Sequence, residues 1–131
     1  MEEYEVILFN TESKDEMSVQ INVDEAESSE SIIIHALING KELSSSDAYY
    51  FPAFQEFRDK LLESGFGIKC NGAQLNAVQS GMFGATDKIY LVKPGKPALM
   101  KDLVCIWDYA DITAFPNTEQ QNAYSEQWMK R

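Results

Sequence analysis

Few side chains in this sequence of 131 residues are suited to nucleophilic catalysis. The one histidine, His35, lies between the apolar runs 32–34 and 36–38, so any Ser–His or Cys–His pair would use a residue in the setting of a packing side chain. Cys70 and Cys105 also lie in apolar runs and form no CxxC pair, which is typical of reduced thiols in a core. We therefore expect a protein that is not an enzyme.

Metal and nucleotide sites are not indicated either. Structural zinc takes four Cys or His ligands, and the three such residues of this chain are widely separated. The calcium-loop pattern, with its glycine at the sixth position, is absent. The stretch 81–88 has two glycines but lacks the Lys-Ser/Thr pair that follows a phosphate loop. The sequence therefore predicts no cofactor and no metal.

The formal net charge of −10 is concentrated at the start of the chain. Residues 1–31 contain ten carboxylates and one cation, Lys14, whereas residues 32–131 contain eleven acids and ten bases. An acidic surface repels nucleic-acid phosphates, so direct nucleic-acid binding is not expected. The same surface attracts a basic protein and speeds encounter with it. Our interpretation is a protein that binds a protein partner through an acidic surface.

Length and composition indicate one domain, residues 1–131, because 131 residues with 44% apolar content can form a core without disulfides. No stretch approaches the roughly 20 apolar residues of a membrane span. The first five residues lack the basic and apolar regions of a secretory signal. We therefore expect no membrane contact and a cytoplasmic location, which agrees with reduced thiols.

Two strands open the predicted fold. Residues 4–9 include a continuous apolar run, which is typical of a strand covered on both faces. Residues 17–24 alternate apolar and polar side chains, which is typical of a strand with one solvent-exposed face. The polar connection 10–15 is short enough for a hairpin.

Residues 25–39 are predicted to form the first helix. Asp24 and Glu27 have the spacing of a capping box, and Gly40 would end the helix. Two signals oppose this interpretation, since the isoleucines at 32–34 are β-branched and Asn39-Gly40 is also a strong hairpin turn.

The rest of the pattern predicts a loop at 44–47, a helix at 52–64 with one apolar stripe, strands at 66–71, 88–93 and 103–108, and a helix at 118–130 capped by Asn117 or Thr118. The expected class is α/β of the α+β type. We expect a single, mainly antiparallel sheet of about five strands, with two to three helices packed on it.

The segment 72–87 has no clear period and is longer than most loops. It is interpreted in one of two ways. It forms a packed crossover whose core side chains are Leu75, Val78, Met82 and Phe83, or it forms a loop that contacts a partner or ligand.

Short motifs in the second half of the chain resemble those of small bacterial immunity proteins from contact-dependent inhibition and polymorphic toxin systems. The motifs are Phe51-Pro52, Cys70-Asn71-Gly72-Ala73, Ser80-Gly81-Met82, Ile89-Tyr90-Leu91, Gly95-Lys96-Pro97-Ala98 and Asp102-Leu103-Val104. The resemblance covers about residues 50–110, and Val78-Gln79 stands where those proteins have a tyrosine–proline pair. It implies a cytoplasmic immunity or antitoxin-like protein that binds and neutralises a cognate toxin domain. Many such toxin domains are basic.

Partner-binding residues are expected in two groups, one acidic and one in or next to the 72–87 segment. They are Asp24, Glu25, Glu27 and Glu30, and Asn71, Gln74, Gln79, Ser80 and Phe83. Aromatic anchors usually fix such complexes, and the candidates are Tyr49, Tyr50, Phe83, Trp107 and Tyr109.

Two other functions stay open. One is a small enzyme of unrecognised type that uses the 72–87 segment with Cys70 or His35. The other is an acidic mimic of nucleic acid, which requires carboxylates spaced along one ridge.

Overall fold

A curled antiparallel sheet of five strands packs around one helix in the computed structural model, which describes residues 2–26 and 31–130. The strand order is β4-β3-β2-β1-β5, and the helix α1 follows β4. The bounds are β1 (Glu2–Asn10), β2 (Glu16–Ala26), β3 (Ser31–Ile38), β4 (Lys41–Asp47), α1 (Tyr50–Glu63) and β5 (Phe66–Ile68). The expected α+β class and the five-stranded antiparallel sheet are confirmed.

A second, smaller sheet follows, in the order β6-β7-β8. Its strands are β6 (Ala77–Val78), β7 (Lys88–Leu91) and β8 (Leu103–Cys105). The sequence predicted strands near β7 and β8 but placed them in the main sheet, where β3 and β4 lie instead. The C-terminal helix α2 (Thr118–Met129) is confirmed, and Asn117 caps it by accepting a hydrogen bond from the Gln120 amide at 2.9 Å.

The β1–β2 hairpin follows the predicted pattern. Val19, Ile21 and Val23 of β2 are buried, while the residues between them are exposed or half-buried. This alternation places one face of β2 on the core and the other in solvent. On β1, only the end near Phe9 has its outer face covered, so the prediction of a strand covered on both faces is wrong for its first half.

The predicted helix at 25–39 is wrong, because β2 runs to Ala26 and residues 31–38 form β3. β-Branched side chains at 32–34 fit the pleated surface of a sheet better than a helix. Asn39 and Gly40 both have positive φ, 52° and 81°, and form the two-residue hairpin turn between β3 and β4. The turn signal and the β-branched run therefore outweighed the capping-box spacing.

The predicted loop at 44–47 is also wrong, because these residues belong to β4. Ser45 points into the core and is 4% exposed. Its hydroxyl donates a hydrogen bond of 2.7 Å to the carbonyl of Ala53 in α1, which removes the cost of burying a polar group.

The helix α1 fills the curl of the main sheet, as its apolar stripe predicts. Phe54 and Phe57 are fully buried and Leu61 is 1% exposed. Each such side chain contributes about 1.5–3 kcal/mol by leaving water. The helix packs on β3, β4 and β5.

The segment 79–84 caps the start of α1. The Tyr50 amide donates to the carbonyl of Gly84 at 2.9 Å, and the Phe51 amide donates to Gln79 Oε1 at 3.4 Å. Pro52 has no amide proton to satisfy. The N-cap residue, Tyr49, makes no capping hydrogen bond with its side chain. The segment 79–84, which is distant in sequence, therefore supplies the acceptors for the first turn of α1.

A buried polar network joins α1 to α2. Arg58 and Gln121 are each 1% exposed, and the Arg58 guanidinium donates to Gln121 Oε1 at 2.8 Å and to Asp59 Oδ1 at 2.8 Å. The Gln121 amide donates in turn to the carbonyls of Gly72 and Gln74. Burial lowers the pKa of Arg58, and the Asp59 carboxylate opposes that shift. The network fixes α2 and the turn at 71–73 on α1.

A substitution at Gly72 tests how tightly the turn at 71–73 is packed. A Cβ at this position would lie 2.7 Å from Ile106 Cγ2 and 3.1 Å from Phe54 Cε2. We expect Gly72→Ala to lower the free energy of unfolding by about 1–3 kcal/mol, measured by urea denaturation. Gly81→Ala is the matched control, since nothing lies within 4 Å of its Cβ, and it should stay within about 0.5 kcal/mol of wild type. Equal effects of the two substitutions would contradict the packing described here.

Candidate functional site

The face of the main sheet that points away from α1 carries side chains from β1 to β4. Among twelve of these residues, eight are exposed and four are half-buried, and no helix within the described ranges packs on them. We call these twelve residues the open face: Glu3, Glu5, Ser18, Gln20, Asn22, Asp24, Ile33, His35, Leu37, Glu42, Ser44 and Ser46.

The open face is acidic and hydrogen-bonded within itself. It contains four carboxylates and, among these twelve residues, neither lysine nor arginine. Ser18 donates to Glu5 Oε1 at 2.6 Å, and Gln20 donates to Asn22 Oδ1 at 3.0 Å. These contacts hold short polar side chains in place before any partner arrives, which lowers the entropy cost of binding.

His35 lies near the middle of the open face, between two carboxylates. Its Nε2 is 2.8 Å from Asp24 Oδ2, and its Nδ1 is 3.9 Å from Glu42 Oε1. The histidine thus connects β2, β3 and β4 across the face. Within residues 2–26 and 31–130, no group of three or more His, Cys, Asp or Glu side chains is arranged to hold a metal ion. The contacts of His35 are a hydrogen bond with Asp24 and a longer approach to Glu42.

One corner of the same sheet face is covered. Phe9 stacks on Phe115 with ring centroids 5.4 Å apart. Beside it, the ammonium of Lys69 bonds Glu16 Oε2 at 2.7 Å and Asp111 Oδ1 at 3.2 Å. The hydrogen bond to Glu16 raises the pKa of Lys69 above its ordinary range. Glu16 is therefore held in an ion pair, and the open face ends at this corner.

The predicted acidic residues do not form a helix start. Asp24 lies on the open face beside His35. Glu25 is exposed on the opposite face, at the end of β2, where it pairs in register with Ile32. Glu27 and Glu30 lie outside the described residues. Glu3, Glu5 and Glu42, which sequence reasoning did not select, join Asp24 on the open face because the strand register puts them there.

Asn71 and Gln74 are engaged inside the molecule. Asn71 Nδ2 donates to the carbonyl of Cys105 at 3.2 Å, and Asn71 Oδ1 accepts from Gln74 Nε2 at 3.2 Å. Both side chains therefore help to join the turn at 71–73 to the strand β8.

Gln79, Ser80 and Phe83 belong to the segment that packs beside the first turn of α1. Gln79 caps the helix, and Ser80 Oγ accepts from the Met82 amide at 3.3 Å. Phe83 packs edge-on against Tyr90, with ring centroids 6.1 Å apart. A groove of about 360 Å³ lies between this segment and the two helices, with Ser80 and Gln79 on its wall.

Asp24 and Glu25 lie at the same end of the main sheet as the segment 79–84. β2 ends at Ala26, β4 ends at Asp47, and α1 starts directly after β4. Because Gln79 caps α1, its segment also lies at this end, on the side of the sheet away from the open face. Asp24 and Gln79 thus lie at one end of the sheet but on different faces.

The 72–87 segment packs against the rest of the protein, but only some of its predicted core side chains are buried or half-buried. Val78 and Phe83 are half-buried, whereas Leu75 is 44% exposed and Met82 is 85% exposed. Ala73 and Ala77 are buried instead. The prediction of Leu75 and Met82 as core residues is therefore wrong.

The aromatic candidates separate into core and surface. Tyr50 and Trp107 are each 2% exposed, and Trp107 Nε1 donates to the Tyr50 hydroxyl at 2.8 Å, so both belong to the core. Tyr49 and Tyr109 are 60% and 57% exposed and are accessible to a partner.

Cys70 and His35 are not brought together. Cys70 is fully buried in the core on the α1 side, whereas His35 lies on the open face. Burial raises the pKa of the Cys70 thiol to about 12 and, more weakly, that of the half-buried Cys105 thiol to about 11. Both thiols are therefore protonated at neutral pH and are poor nucleophiles.

No model of a known protein family matches this chain, and none of the curated proteins matches it. Within the part of the chain that the structure describes, neither helix is long and apolar enough to cross a membrane.

Thiol reactivity provides a direct check of this core. At pH 8 a thiol with a pKa of about 12 is ionised in only about one molecule in 10⁴, so Cys70 should resist iodoacetamide until the protein unfolds. Peptide mass spectrometry after a timed reaction would locate the label, with Cys70→Ser and protein in 8 M urea as controls. Labelling of native Cys70 at the rate of the unfolded chain would contradict a buried thiol.

Proposed function

We propose that this chain is a cytoplasmic immunity protein that binds and neutralises a cognate, basic toxin domain through its open face. The observation that supports this proposal is the open face itself, which is free of helices within the described ranges and carries four carboxylates and no lysine or arginine. The motifs at 50–110 that resemble immunity proteins point to the same class of function.

The physical properties of the open face suit a basic protein surface. Its strands form a rigid base, and its serine and asparagine side chains are short. Complementary charge speeds encounter by about 10–10³-fold at low salt and favours partners with a positive surface. A stable interface uses about 20–30 residues on each side, so the twelve open-face residues would form its centre.

A nucleic-acid mimic is less well supported. Of the eight described carboxylates in residues 2–26, Glu3, Glu5, Glu16 and Asp24 share one face of the sheet, and Glu16 forms an ion pair with Lys69. The others, Glu2, Glu12, Asp15 and Glu25, lie in the β1–β2 turn or at strand ends. These eight residues do not form a continuous row.

An enzyme that uses Cys70 or His35 is also less well supported. The thiol is buried and protonated, and the imidazole lies on the other side of the main sheet. The 72–87 segment is held by contacts with α1 and the Gln121 network. A binding protein therefore agrees better with where these side chains lie.

The proposed function is tested by co-expression with a candidate toxin domain, taken from a secreted protein encoded beside this gene. Wild-type protein should restore growth. Glu3→Lys/Glu5→Lys should slow association by about tenfold or more at low salt and reduce rescue, because it reverses charge on the open face. Association rates at two salt concentrations, measured by surface plasmon resonance, report the effect.

The matched control is Glu12→Lys/Asp15→Lys, which changes the net charge equally but lies in the β1–β2 turn. It should slow association much less. Equal slowing by both pairs would show that overall charge, and not the open face, guides binding. Failure of the wild-type protein to bind or rescue from its neighbouring toxin domain would overturn the proposed function.

A further inference from the structure

The strand β4 is an edge of the main sheet. It pairs with β3 along one side, and no other strand of the described residues pairs along its second side. It spans seven residues, Lys41–Asp47. An edge of this length presents unpaired amide and carbonyl groups that can pair with another strand.

The middle of β4 itself contains neither the charged residues nor the proline that usually prevent such pairing. Leu43, Ser44, Ser45 and Ser46 are uncharged, and the strand contains no proline. Lys60 of α1 donates to the carbonyl of Ser44 at 2.6 Å. A carbonyl oxygen accepts two hydrogen bonds, so this contact lowers the affinity of the edge for another strand without blocking it.

We propose that β4 pairs antiparallel with β4 of a second copy of this chain, about a two-fold axis at Ser44. In this register Lys41 lies opposite Asp47 of the second copy, and Asp47 lies opposite Lys41. Leu43 lies opposite Ser45, and Glu42 lies opposite Ser46. Opposite charges that face each other across a strand pair are favourable, and no residue of β4 lies opposite a like charge of the second β4.

Two properties of β4 favour the register with its axis at Ser44: its length and the face on which each side chain lies. Centring the axis on Ser44 pairs all seven residues. Centring it on Leu43 leaves residues 46 and 47 without a partner in the other β4, and centring it on Ser45 leaves residues 41 and 42 without one. Residues that meet across this axis also lie on the same face of each sheet, since side chains alternate along a strand. The two main sheets would thus form one sheet of ten strands, with both open faces side by side.

This inference does not depend on the proposed function. The partner is a second copy, because the charges of β4 are complementary to themselves in reverse order. A strand from a different protein would require no such self-complementarity.

Charge exchange tests the pairing. By sedimentation velocity, wild-type protein should show a concentration-dependent dimer. Lys41→Asp should weaken the dimer by about tenfold, because both copies then place aspartate opposite aspartate. Asp47→Lys should do the same. Mixing the two single variants should restore a heterodimer, since each contact then joins an aspartate to a lysine.

Asp47 Oδ1 also accepts from the Tyr49 amide at 3.1 Å, so circular dichroism must confirm that Asp47→Lys folds. The double variant Lys41→Asp/Asp47→Lys should recover the wild-type dimer. A protein that stays monomeric at high concentration, or a dimer that neither single variant weakens, would overturn the proposal.

Cysteine cross-linking tests which residues of the two β4 strands lie opposite each other. Ser44→Cys should form an intermolecular disulfide under mild oxidation, because the two copies of residue 44 meet at the axis. Ser46→Cys is the matched control on the same strand and face, and it should not cross-link, since residue 46 lies opposite residue 42. Cross-linking of Ser46→Cys in preference to Ser44→Cys would refute this register. If Ser44→Pro blocked binding of another protein but left self-association unchanged, the edge would belong to that protein.

Discussion

The packing of α1 into the curl of the main sheet determines what the remaining surface can be. Its apolar stripe, centred on Phe54, Phe57 and Leu61, covers one face of β3, β4 and β5. The opposite face is left to solvent, so β2 and β4 need polar side chains at alternate positions. The Arg58–Gln121 network extends the same layer by holding α2 beside α1. Core packing on one side and an acidic surface on the other are thus two results of one arrangement.

Local patterns predicted the elements whose signals agree with one another. The strand β2 has strict alternation, α1 has an apolar stripe, and α2 has a capping asparagine at 117, and the structure contains all three. Residues 25–39 carried opposing signals, and the helix signal at their start proved weaker than the turn at their end. The serines of β4 gave no strand signal, because what makes Ser45 acceptable in the core is a carbonyl of α1 that sequence pattern does not place beside it.

The sequence predicted that the candidate site is acidic, but it did not predict which residues form it. Composition showed that the first quarter of the chain is acidic. Which carboxylates share a face depends on strand register, and a shift of one residue moves every side chain to the other face. Asp24 was selected as a helix cap and proved to be a strand residue bonded to His35. Glu42 was not selected, because its strand was interpreted as a turn and a loop.

The capping of α1 by residues 79–84 has a consequence for the order in which the protein is made. The amides of Tyr50 and Phe51 receive their acceptors from Gly84 and Gln79, which leave the ribosome about 30 residues later. Until then, the first turn of α1 has its free amides in water and can fray. The hairpins β1–β2 and β3–β4 precede α1 in the sequence, so they leave the ribosome before the acceptors that complete its first turn.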